Sequence, residues 1–104
     1  MSGATLTRVE PGRFRLEGDL DFASVVELAV LPAQFLAGES DPLIDLGGVG
    51  RANSAGLALL LEWLGQARAR GRTLHFANLP ASLLRLAELS NLDDLIGPSA
   101  ASPA

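Results

Sequence analysis

The chain has 104 residues, 48% hydrophobic and 19% charged, the balance of a globular domain with one core and not of a disordered segment. Its formal charge of −4 argues against a general nucleic-acid binder, which needs a basic surface, but leaves open docking on a basic partner patch. With no cysteine there is no disulfide framework or thiolate chemistry, no apolar run is long enough to span a bilayer, and the first residues carry no signal-like apolar core, so a soluble cytoplasmic domain is expected.

TLTRVEPGRFRLEGDLD reads as two short strands joined by the turn pair Pro11-Gly12. Phe14 and Leu16 alternate with Arg13, Arg15 and Glu17, the period of a half-buried strand, and Gly18 breaks it. Residues 23 to about 37 carry a helical stripe of Val25, Leu28, Ala29 and Leu36, which Pro32 should kink or divide and Gly38 should end. PLIDL, residues 42–46, reads as a buried strand, and the glycines of GGVGRAN as a loop. Residues 54 to about 70 form the best-marked helix, stopped by Gly71. RTLHFANL is a strand with Leu74 and Phe76 on one face. Pro80 suits the first turn of a helix over 81–89, LDDLIG adds a short strand or turn, and PSAASPA is a frayed tail.

The order is ββαβαβα. Two strand–helix–strand crossovers imply parallel pairing and the initial hairpin makes the sheet mixed, so the expectation is an α/β domain with about four to five mostly parallel strands. Three helices are too few for two faces, which places them mainly on one.

Catalytic patterns are missing. The single histidine, His75, alternates away from Leu74 and Phe76, which suits a surface position better than a catalyst. No nucleophile elbow surrounds Ser54, no His/Cys/carboxylate cluster has metal-ligand spacing, and GGVG matches neither a P-loop nor GxGxxG. Asp19 and Asp21 are two apart, but in extended chain they face opposite ways. The expectation is a protein that is not an enzyme and needs no cofactor or metal.

On the wheel of the main helix Leu57, Leu60, Leu61 and Leu64 form the core stripe, opposite Leu59, Trp63, Gln66 and Arg70. The second set is either an exposed interface or, at Trp63, a contact with a neighbouring helix or the tail. Ser54 is placed to cap the helix and Asn53 to do so equally well; the same helix start would tolerate a phosphate on Ser54.

LEGDLD, at residues 16–21, and LIDLGGVGRANSAGLALLLEWL, at residues 43–64, together resemble the STAS family, named for sulfate transporters and anti-sigma factor antagonists. Gly18-Asp19-Leu20-Asp21 supplies the family's first motif; Asp45-Leu46, Val49, Ser54 and Gly56 supply the second. The resemblance covers about residues 5–96, leaving 97–104 as a tail, and implies a STAS-like single domain over 1–104.

NSAGLALLLEWL is most similar to the MlaB-type branch, small cytoplasmic subunits of bacterial Mla phospholipid-transport ABC systems. That implies a non-enzymatic subunit, peripheral to the inner membrane through the transporter and not inserted in it. It would bind the ATPase subunit (MlaF-like) in a complex with the permease and support outer-membrane lipid asymmetry. The expected partner-binding set is Arg51, Asn53, Ser54, Ala55, Leu59, Trp63, Gln66 and Arg70. The alternative is an anti-sigma factor antagonist with an anti-sigma factor kinase as partner and Ser54 as phosphoacceptor. Asn53 stands where the family has an aspartate, which favours docking over phosphorylation.

Overall fold

The computed structural model describes residues 4–36 and 41–96, so the expected helix stop at Gly38 and the tail lie outside the described residues. β1 (Thr5–Glu10) and β2 (Arg13–Leu20) pair antiparallel across Pro11-Gly12. Gly12 takes φ 79°, a value open to glycine at little cost, and the order Pro-Gly is that of a type II turn. β2 does not stop at Gly18. Phe14, Leu16 and Leu20 are buried while Arg13, Arg15, Glu17 and Asp19 are exposed, so the period of two carries through the glycine to Leu20.

The expected first helix is divided at Pro32, giving α1 (Phe22–Leu28) and the short α2 (Pro32–Leu36). β3 (Leu43–Ala52) corrects the expected loop: the strand continues through GGVGRA. Its glycines answer to neighbours and not to a turn. A Cβ on Gly48 would lie 2.6 Å from Glu17 Cγ, and one on Gly50 2.7 Å from Asp19 Oδ1. Along the parallel pair β3 twice uses one residue more than β2, between Arg15 and Glu17 and between Gly18 and Leu20, as bulges do.

α3 (Ser54–Ala69) follows at once and ends at Gly71, φ 70°. β4 is only His75–Ala77, shorter than expected. α4 (Ala81–Leu89) starts after Pro80, which sits at the N-cap and not in the first turn, and LDDLIG closes as a one-turn helix, α5 (Asp93–Ile96), in place of a strand.

The four described strands lie in the order β1-β2-β3-β4, antiparallel for the first pair and parallel for the others. Phe14, Leu16, Leu20, Ile44, Leu46 and Phe76 bury one sheet face against the helices, while Arg15, Glu17, Asp45 and His75 occupy the other, more open face. α3 is the central helix, touching α1 and α2 on the one hand and α4 on the other. Leu60, Trp63 and Leu83 are fully buried there, and each such side chain contributes about 1.5–3 kcal/mol of apolar transfer energy. Gly56 sets the approach of α3 to β2: a Cβ would meet Leu20 Cβ at 3.0 Å.

Candidate functional site

The two family motifs meet at the carboxyl ends of β2 and β3, where Leu20 pairs with Ala52. Each strand passes directly into a helix. Asp21 caps α1: its carboxylate accepts from the Ser24 N–H at 3.0 Å, and Ser24 Oγ accepts from the Asp21 N–H at 3.0 Å, a reciprocal capping box. The Ser24 N–H is the main reason the Asp21 carboxyl is held below its ordinary value. Ser24 Oγ, buried, also donates to the Asp19 carbonyl at 2.8 Å. The Asp19 carboxylate crosses to β3 and accepts from the Arg51 N–H at 2.8 Å, while the Asn53 N–H donates to the Leu20 carbonyl at 3.2 Å. Asp21 thus fixes the start of α1, while Asp19 and the Leu20 carbonyl tie that start to the entry of α3.

Asn53, not Ser54, caps α3. Its backbone is extended (φ −115°, ψ −165°) and its Oδ1 accepts from the Ala55 N–H at 2.9 Å. Ser54 is the first helical residue, exposed, and its hydroxyl has no protein partner among the described residues. Arg51 and Asn53 are exposed beside it, whereas Ala55 is buried.

The remainder of the expected partner-binding set does not join this turn. Leu59 is 4% exposed and Trp63 0%, so the solvent-face placement is corrected for both, and of the two alternatives for Trp63 the structure has the contact with a neighbouring helix. The buried face of α3 is wide, taking in Ala55, Gly56, Leu57, Leu59, Leu60, Trp63 and Ala67, because the helix is packed between neighbours on both flanks as well as on the sheet. Trp63 stacks edge-to-face on Phe35, centroids 5.0 Å apart, and Phe35 on Phe14 at 6.0 Å. The indole N–H has no partner among the described residues. Gln66 is half-buried and donates to Glu62 at 3.0 Å. Arg70 is exposed at the C-cap, about 24 Å along the helix from Ser54 at 1.5 Å per residue.

Asp45, the aspartate of the second motif, has a structural task. It accepts from Asn78 Nδ2 at 2.9 Å and from the Gly47 N–H at 2.8 Å, which together hold its carboxyl below the ordinary value. His75 faces away from buried Leu74 and Phe76 and pairs with Leu43, at the end of β3 remote from Ser54, on the order of 25–30 Å away along the strand. A serine–histidine pair is therefore not formed. Among the described residues no group of three His, Cys, Asp or Glu could hold a metal, and no helix is long and apolar enough to cross a membrane.

One surface went unread in the sequence. Phe22, Val26 and Val30 are 69%, 72% and 74% exposed and recur every four residues along α1 and its exit. The signal was present as an i, i+4, i+8 spacing, but it lay behind the stripe of Val25, Leu28 and Ala29, which does face the core.

No curated protein sequence matches the chain. Among solved structures, the anti-sigma factor antagonist SpoIIAA in its unphosphorylated form superposes with a TM-score of 0.69 at 14% identity, covering 89% of this chain and 84% of that one. The Bacillus cell fate determinant SpoIIAA in the phosphorylated form gives 0.67 at 16% identity, over 89% of this chain and 87% of that one. At such identities the likeness establishes the fold, an α/β arrangement with a mixed, mostly parallel four-stranded sheet. The family model described as "Mlab, STAS domain" matches residues 5–97. The chain belongs to the STAS family.

Proposed function

We propose that this protein is a non-enzymatic accessory subunit that binds the ATPase subunit of a bacterial Mla-type phospholipid-transport ABC transporter. The complex would include the permease, and the subunit would lie on the cytoplasmic side of the inner membrane and support outer-membrane lipid asymmetry. The observation that carries the reading is the exposed hydroxyl of Ser54: the cap is supplied by Asn53, so among the described residues this polar group at the start of α3 has no protein partner. The MlaB-type description of the matching family model supports the choice of partner. Arg51, Asn53 and Ser54 form the docking turn. A subunit that binds one arrangement of the ATPase better than the others shifts the population towards it, without chemistry of its own.

The likeness to SpoIIAA in both phosphorylation forms supports a second reading, an anti-sigma factor antagonist switched at Ser54. A phosphate there would sit at the positive end of α3, where negative charge is tolerated, and would change the docking turn by nearly two charges. The test is co-expression with the ATPase subunit of the same organism's Mla transporter, and, separately, incubation with a cognate kinase and ATP followed by mass spectrometry. A stable complex carrying no phosphate on Ser54 supports the accessory subunit. No complex, with stoichiometric phosphate on Ser54, overturns it in favour of the antagonist.

A further inference from the structure

The fold buries Leu59 and Trp63, yet it leaves a different apolar row in solvent, at the same end of the sheet as Ser54. Phe22 is two residues past Leu20, and Ser54 two past Ala52, which is Leu20's partner across β2 and β3. The Asn53 N–H to Leu20 carbonyl bond ties these two exits together. α1 and α3 therefore start side by side, with the docking turn on one and Phe22 leading the row Phe22, Val26 and Val30 on the other. Among the described residues nothing covers these three side chains. The α1 helix is already held by its capping box and by buried Ser24 and Leu28 on the opposite side.

We infer that Phe22, Val26 and Val30 continue the docking surface begun at Ser54, and that they receive a protein partner whose contact area is apolar at its centre and basic at its rim. The inference rests on the proposed docking role of the turn. Charge selects the occupant. Residues 21–30 hold Asp21 and Glu27, both exposed, and no basic side chain; Asp19 lies at the same end, and the exposed Arg51 of the turn offsets one of these three acids. The whole chain carries −4, so a second copy would bring like charges to the rim, and an anionic bilayer surface would be repelled in the same way. A basic-rimmed protein surface meets both the apolar row and the acids beside it. A row of adjoining apolar side chains next to a polar, hydrogen-bonding turn has the anatomy of an interface core with its rim.

The test uses the full chain and the ATPase subunit, with dissociation constants measured for Phe22→Gln, Val26→Gln, Glu27→Lys and Ser54→Asp. Glutamine has helix propensity at least equal to that of phenylalanine or valine, so unchanged melting temperatures will show that the fold is kept. Loss of about tenfold or more in affinity for each α1 substitution, with Glu27→Lys acting most at low salt, is the expected result. If Ser54→Asp abolishes binding while the α1 variants bind like the parent, the row is not part of the surface and only this inference falls. If the parent chain does not bind the ATPase at all, the accessory-subunit reading falls and the inference with it. Self-association lost in Phe22→Gln, or flotation with anionic vesicles lost in the same variant, would assign the row to a second copy or to a membrane and would overturn it.

Discussion

Trp63→Ala tests the correction that matters most for the site. The side chain is 0% exposed and stacks on Phe35, so its truncation belongs with buried aromatic deletions, which cost about 3–5 kcal/mol. The edge-to-face contact accounts for about 0.5–1.5 kcal/mol of that. An opposing effect brings the value down. Among the described residues the buried indole N–H has no partner, a cost of about 1–3 kcal/mol that the native state already bears and the alanine variant escapes. The expected loss is therefore about 2 kcal/mol, below that range, and still a sizeable share of the 5–15 kcal/mol typical of native domains. Trp63→Phe keeps an aromatic partner for Phe35 and also removes the orphaned donor, so it should cost much less. Urea unfolding followed by far-ultraviolet circular dichroism is the assay, because this is the protein's one tryptophan and its removal removes the fluorescent probe. In the parent chain that same probe should emit as a buried indole and resist iodide quenching. A loss below about 1 kcal/mol for Trp63→Ala, or free quenching in the parent, would refute the packing and return Trp63 to the surface.

Two glycines of α3 should respond with opposite signs in thermal melts. Gly65→Ala places its Cβ in open space and should stabilise by about 0.5–1 kcal/mol, whereas Gly56→Ala drives a Cβ to 3.0 Å from Leu20 Cβ and should destabilise by about 1 kcal/mol once the helix-propensity gain is counted. Each kcal/mol corresponds to roughly 4–8 °C at this size. Asn53→Ala should cost about 1 kcal/mol as a lost cap while Ser54→Ala costs little, and chemical denaturation of the two variants checks which residue caps. Asp45 has a folded-state value below its unfolded one, so its contribution is present above the unfolded value near 3.8 and is lost as pH falls through the lower folded value. Asp45→Ala should therefore lower stability at neutral pH and reduce its decline below about pH 4, as measured by urea midpoints across pH.

What could be read in the sequence was whatever had a local cause. The alternation of Phe14 and Leu16, the division at Pro32 and the stop at Gly71 each depend on residues within a turn or two, and each is present in the structure. The failures have distant causes. GGVG looked like a loop because glycine usually marks one, but here Gly48 and Gly50 make room for Glu17 and Asp19 on the neighbouring strand. The helical wheel left Trp63 either on an exposed face or against a neighbouring helix because it assumed a single buried stripe. α3 is enclosed on both flanks, and a helix with apolar residues on most sides should have suggested burial on most sides. The true exposed row was hidden for the complementary reason. α1 is apolar on more of its circumference than the fold covers, and only the packing says which part is left out.

Ser54 and Asn53 show why a charge substitution cannot by itself separate the two functional readings. Ser54→Asp disturbs a docking turn by adding a negative charge, and it also imitates a phosphorylated antagonist, so both readings expect lost binding. Ser54→Ala divides them. If the hydroxyl contacts a partner, its removal takes away one hydrogen bond, worth about 0.5–1.5 kcal/mol, and affinity falls by about two- to tenfold under all conditions. If the hydroxyl serves only to receive phosphate, the alanine variant binds as well as the parent and no longer responds to kinase and ATP. The structure makes this comparison clean, because Asn53 carries the cap and the first turn of α3 stands without the Ser54 hydroxyl. Titration of parent and Ser54→Ala against the ATPase subunit, and separately against a cognate anti-sigma factor kinase with and without ATP, should show the constant modest loss of a docking residue on the ATPase. A variant with parental affinity and abolished kinase sensitivity would refute that assignment and make the turn a phosphate switch.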